Sequence, residues 1–194
     1  QDALSVIPQL PEIYDEPFAD PSQIPTYLVA KLARHSVVVS LSGDGGDELF
    51  AGYNRHVVGS KLWGRFSNVP FPIRSFTSRT FAALPVAVVK NLVRLFSPIL
   101  PKILSGAQSV DQIYKMFALL GCANEQEACM SFVSLWRNPE SVVQGVASDH
   151  SLKHWDTVAK AYSTFCERLQ AFDLKTYLTD DILVKVDRAT MAHS

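Results

Sequence analysis

The run Val37-Val38-Val39-Ser40-Leu41-Ser42-Gly43-Asp44-Gly45-Gly46-Asp47-Glu48-Leu49-Phe50-Ala51-Gly52-Tyr53 constrains this chain more than any other stretch. A β-branched apolar segment passes directly into a turn holding three glycines and two acids. The pattern predicts a strand over Val37–Leu41, apolar on both faces as a parallel-type strand is. A helix is predicted to begin near Asp47-Glu48. Ligands of α/β sheets bind where such strands end. Glycines let the backbone come close to a ligand, and a helix amino end offers unpaired N–H groups. Asp44 and Asp47, however, would repel a bare polyphosphate. They imply a Mg²⁺ ion or an acid–base step.

The rest of the chain reads as helix. Periodicity and caps predict helices at about 3–9, 24–35, 76–83, 86–96, 109–120, 124–136, 157–172, 173–178 and 180–191, with loops at about 67–75 and 145–151. Pro25 suits a first helical turn, Ser109 a cap and Gly121 a stop. A lone strand is not stable, so its sheet partners are expected to be short or to lie outside this sequence.

Composition removes several classes. The 18 basic and 19 acidic residues nearly balance, and no basic stripe stands out, so nucleic acid is not an expected partner. Phe81 to Leu104 is apolar but interrupted by Pro85, Lys90, Asn91, Arg94, Pro98 and Lys102. It reads as packed amphipathic helices, and no membrane partner is expected. Cys122, Cys129 and Cys166 form no C-x-x-C pair and read as reduced, buried thiols of a cytoplasmic protein. His150 and His154 are four apart but lack a third ligand, so they read as a surface pair. The length of 194 residues favours a single domain.

Ser42-Gly43-Asp44-Gly45-Gly46-Asp47-Glu48-Leu49-Phe50 resembles a signature of the synthetase domain of glutamine-hydrolysing asparagine synthetases. Asp180-Asp181-Ile182-Leu183-Val184-Lys185-Val186-Asp187-Arg188-Ala189-Thr190-Met191-Ala192 resembles a second, and Glu16-Pro17-Phe18-Ala19-Asp20-Pro21-Ser22-Gln23-Ile24-Pro25-Thr26 also matches the family. All three occur in the family's order. Residues 57–172 carry no recognised motif.

The resemblance implies an α/β parent of the adenine nucleotide alpha hydrolase type, with a Rossmann-like sheet, of which this chain is a mainly helical part. It implies ATP and Mg²⁺, with aspartate and glutamine-derived ammonia as reactants. Asp44 would be the catalytic carboxylate, where the family more often has Glu. Asp47 would be the metal ligand. Ser42, Gly43, Gly45, Lys185 and Arg188 would hold nucleotide, the last two through phosphate oxygens. From the residues alone, two acids and three glycines after an apolar strand favour a functional Asp44 over a turn former, Asp47 is balanced between metal ligand and helix cap, and Lys185 and Arg188 read as a solvated face. Asp20, Ser22 and Thr26 are equally explained by a turn and cap.

The family's S-G-G-x-D-S pyrophosphate loop and Cys-initiated glutaminase domain are not found in this sequence. It is therefore expected to be one partial domain over residues 1–194, inactive in isolation. Two alternatives stay open: a degenerate module that binds or assembles without chemistry, and a relative that amidates or cyclises another carboxylate. The oligomeric state, a homo-oligomer included, is also open.

Overall fold

The computed structural model describes residues 2–85, 87–89, 91, 110–134, 142–143 and 152–194. Among these the chain is helical and no strand is present. The helices are α1 (Asp2–Val6), α2 (Leu10–Tyr14), α3 (Gln23–Arg34), α4 (Gly46–Phe50), α5 (Ser60–Phe66), α6 (Phe71–Ala83), α7 (Val110–Leu120), α8 (Glu125–Val133), α9 (Trp155–Ala161), α10 (Phe165–Lys175) and α11 (Leu183–Met191). Wider π turns at Arg55–Gly59 and Leu178–Ile182 lead into α5 and α11. The expectations for His150, the 145–151 loop, the Ser109 cap, Trp136 and most of 86–96 lie outside the described residues.

The strand expected at Val37–Leu41 is not formed. Residues 37–43 have no regular structure, and Val38, Val39 and Leu41 are 86%, 79% and 100% exposed. The physical reason is the missing neighbour. β-propensity records how well a side chain fits a partly buried pleated surface, not a preference of the isolated backbone. No other described segment offers a ladder: Val37 N–H turns back to the Ala33 carbonyl at 2.9 Å, and among the described residues no strand lies beside Val38–Leu41 to cover its side chains.

The chain divides into two compact units, Gln1–Gly52 with Gln170–Ser194, and Tyr53–Leu169. In the first, Val6, Tyr27 and Ala189 form a buried cluster, with Leu10, Ile13, Ile24 and Leu28 packed on it. Helix α3 supplies Ile24, Tyr27 and Leu28 at helical spacing, and Pro25 sits in its first turn, where a missing N–H costs nothing. Asp20 starts that helix: its Oδ1 accepts the Ser22 N–H at 2.8 Å, an Asx turn. Tyr14 is buried and stacks on Phe18, with ring centroids 4.7 Å apart.

In the second unit, Trp63, Phe132 and Trp155 surround Phe165 at centroid separations of 6.1–6.5 Å. Arg74 is buried and donates to the Val69 and Cys122 carbonyls at 2.9 and 2.8 Å. Helix α6 begins at Phe71, inside the expected loop, because Pro70 and Pro72 suit a helix start. The long helix expected over 157–172 is broken. Tyr162 is extended, and Thr164 and Glu167 cap a new start reciprocally: Thr164 N–H donates to Glu167 Oε2, and Glu167 N–H donates to Thr164 Oγ1. All three cysteines are free, and Cys122 and Cys129 are buried. No described helix is long and apolar enough to cross a membrane.

Candidate functional site

The acidic turn is built by its glycines. Gly46 N–H donates to the Gly43 carbonyl at 3.1 Å, closing a turn over Gly43-Asp44-Gly45-Gly46. Gly45 has φ 86°, the left-handed position that a type II turn reserves for glycine. Helix α4 follows for little more than one turn, then ends at left-handed Ala51. Gly52 N–H returns to the Asp47 carbonyl at 2.9 Å, a Schellman closure. That closure turns the chain.

Ser42, Gly43, Asp44 and Asp47 are exposed, while Gly45 is buried against Leu178. The Ser42 hydroxyl donates to Asp44 Oδ2 at 2.6 Å and steadies one carboxylate oxygen. The Asp47 carboxylate curls over Gly52 so closely that a Cβ there would fall 2.0 Å from Oδ1. Glu48, by contrast, is buried, and Gln170 Nε2 donates to the Glu48 and Leu49 carbonyls at 3.2 and 3.0 Å. The arrangement presents two exposed carboxylates on one glycine-shaped loop, Asp44 held by Ser42 and Asp47 packed over Gly52.

Among the described residues no three His, Cys, Asp or Glu side chains are grouped as a metal cage. A single exposed Asp47 fits a Mg²⁺ ion that takes most of its ligands from phosphate and water, which is how this ion is commonly held.

Lys185 and Arg188 make no hydrogen bond or ion pair with residues 42–47. Arg188 is exposed. Lys185 is 9% exposed and its Nζ lies 2.7 Å from both Asp20 Oδ2 and Ser22 Oγ. Asp181, one helical turn earlier, meets the Asp20 carboxyl. Burial raises Asp181 above the ordinary aspartate range, and the Asp20 charge adds to this against the opposing Lys185. Burial also acts to raise Asp20, but hydrogen bonds from Lys185 and Ser22 outweigh it and hold Asp20 below that range. The Tyr14 phenol is raised by burial and by Asp20, and its hydroxyl donates to the Lys185 carbonyl at 3.4 Å. Sequence reasoning missed this group. The i, i+4 spacing of Asp181 and Lys185 was its only local signal. In the second unit, Arg55 stacks on Tyr53, 4.1 Å from the ring centroid.

The loop presents the Asp44 and Asp47 carboxylates to solvent, and comparison with known proteins gives the family. The asparagine synthase family model matches residues 1–194, and the chain belongs to that family. It is 27% identical to asparagine synthetase (glutamine-hydrolysing) 1 of Bacillus subtilis, over all of this chain and 28% of the relative. Proteins of Mycobacterium tuberculosis and Methanocaldococcus jannaschii that bear asparagine synthetase (glutamine-hydrolysing) in their names are 32% and 34% identical. Those matches cover 98% and 92% of this chain, but 26% and 30% of the relatives. The chain thus spans under a third of the length of these curated relatives. No solved structure matches it.

Proposed function

We propose that this chain is part of a cytoplasmic, ATP-dependent amidotransferase of α/β fold that converts aspartate to asparagine with ammonia from glutamine. In this reading residues 1–194 form one partial synthetase domain, and an apolar Val37–Leu41 becomes a buried strand when the sheet of the complete protein is beside it. The observation that carries the reading is the exposed Ser42–Asp47 loop in a chain that the asparagine synthase family spans throughout.

The chemistry has two stages. An oxygen of the aspartate side-chain carboxylate attacks the α-phosphorus of ATP, and the bond to pyrophosphate breaks. The ammonia nitrogen then attacks the acyl carbon, and AMP leaves with the bridging oxygen. The nitrogen must lose a proton, and Asp44, with one oxygen steadied by Ser42, is the base for it. Backbone N–H groups around Gly43 and Gly45 suit nucleotide contact. Asp47 would hold Mg²⁺, which supplies charge neutralisation for the leaving pyrophosphate.

The test uses the complete protein containing this sequence, with ATP, Mg²⁺, aspartate and glutamine. Asparagine, AMP and pyrophosphate are expected in equal amounts. Asp44→Asn is expected to lower turnover by roughly 10²–10⁴-fold while ATP still binds. Turnover within a few-fold of wild type would return Asp44 to a turn-forming role. ATP binding by wild type without pyrophosphate release would make the protein a binding module, and pyrophosphate without asparagine would point to another acceptor carboxylate.

A further inference from the structure

We propose that Asp20, Ser22, Asp181 and Lys185 act together as a positioning clasp that fixes the Phe18–Ser22 turn against the helical run 178–191. Lys185 is committed to this clasp and is not a phosphate ligand. The first argument is burial. Lys185 is 9% exposed, and an ammonium so far from water requires charged or polar partners at close range. It has two at 2.7 Å. The Ser22 hydroxyl accepts from Lys185 and donates to Asp20, whose two oxygens lie 2.8 and 2.7 Å away. Donors and acceptors therefore close into a ring.

The second argument is the missing donor. Asp181 Oδ1 is buried with no hydrogen-bond partner, yet its carboxyl meets that of Asp20. A neighbouring carboxylate disfavours the charged form of Asp181, in the same direction as its burial. Asp20, Tyr14 and Lys185 are the titratable groups that Asp181 shares this corner with.

The third argument is connection to the acidic turn. Leu178 lies under Gly45, where a Cβ would be 3.7 Å from either methyl. Asp181 and Lys185 follow on the same helical run. The clasp therefore sets the 18–22 turn and the 42–47 loop on one support. Both turns also lie in the stretches that resemble the synthetase family, so the effect on catalysis rests on the reading above; the structural role does not.

The test has one arm for each. In this chain, amide hydrogen exchange at Ser22 and Gln23, whose N–H groups bond to Asp20 at 2.8 and 3.1 Å, is expected to quicken roughly tenfold or more in Lys185→Met. The mild variant Asp20→Asn should do the same in part, and the double variant no more than Lys185→Met alone. Unchanged exchange in both single variants, or additive effects in the double, would overturn the clasp. In the complete protein, Asp20→Asn and Lys185→Met are expected to lower kcat together with the KM for ATP unchanged. A KM for ATP raised by Lys185→Met and untouched by Asp20→Asn would make Lys185 a phosphate ligand and overturn the proposal. If the complete protein has no synthetase activity, the exchange arm still decides.

Discussion

Lys185 and Asp20 are 165 positions apart in sequence and meet at 2.7 Å, each side chain little more than a tenth exposed. Hydrogen bonds to Asp20 outweigh the cost of its burial, so its folded value lies below the ordinary one. The unfolded chain then binds the proton more readily. The pair's contribution to stability is fully present above about pH 3.9 and is lost as pH falls through the lower folded value. Lys185→Met leaves a buried carboxylate unpaired and is expected to cost about 3–5 kcal/mol near neutrality. Urea unfolding between pH 3 and pH 7 checks both points. A deficit that does not shrink in acid would separate Lys185 from Asp20.

Asp181 has the opposite sign. Its folded value is raised, first by burial and then by Asp20, so the folded state binds the proton more readily. Its contribution is fully present below about pH 3.9 and is lost as pH rises through the folded value. Asp181→Asn replaces the carboxyl with a neutral group that carries its own donor. The variant is expected to be more stable than wild type at pH 7 and to lose that advantage toward pH 4. Equal unfolding midpoints at both pH values would show that Asp181 is not disfavoured in its charged form by this corner.

Gly52→Ala isolates Asp47. The new methyl would fall on the Asp47 carboxylate, 2.0 Å from Oδ1 and 2.8 Å from Cγ, and 3.1 Å from its Cα. The carboxylate must swing away. If Asp47 holds Mg²⁺ in the complete protein, the Mg²⁺ concentration for half-maximal pyrophosphate release rises several-fold, with little loss at saturating Mg²⁺. An unchanged Mg²⁺ profile would reduce Asp47 to a helix-terminal acid.

Local chemistry was legible in the sequence, and long-range pairing was not. The glycine pattern gave the acidic turn because Gly45 needs a left-handed φ that only local geometry decides. The apolar run Val37–Leu41 misled, because a strand is a property of at least two segments and only one is described here. The Asp20–Lys185 pair had no local mark on the Asp20 side beyond Asp-Pro-Ser, which a turn already explains. The helix break at 162–164 was written in Thr164-x-x-Glu167, but the apolar period runs across it and hid the cap.

That cap gives a further prediction. Thr164 Oγ1 accepts the Glu167 N–H at 3.2 Å, and the Arg168 guanidinium bonds the Tyr162 carbonyl and pairs with Glu125 in the same unit. Thr164→Ala removes the acceptor and is expected to destabilise the fold by about 1 kcal/mol, while Thr164→Ser restores most of it. Thermal unfolding of the three proteins is the check. An alanine variant as stable as wild type would mean that the break is held by the aromatic cluster around Phe165 alone.

His193 is expected to contribute to the pH response of stability below about pH 6.5. Its ring lies 4.3 Å from that of Tyr27, tilted by 53°. Burial lowers its folded value; the Lys31 and His35 charges act the same way, and a backbone hydrogen bond at Tyr27 opposes them. A histidine held below its ordinary value is protonated more readily in the unfolded chain. Its contribution is therefore fully present above about pH 6.5 and declines as pH falls through the folded value. His193→Phe keeps an aromatic ring against Tyr27 but carries no proton. The slope of stability against pH between about 5 and 7 should flatten in this variant, with the pH 7.5 midpoint near that of wild type. A slope as steep as wild type would assign that titration to another group, and a large loss at pH 7.5 would show that the ring contact, not the proton, is what His193 supplies.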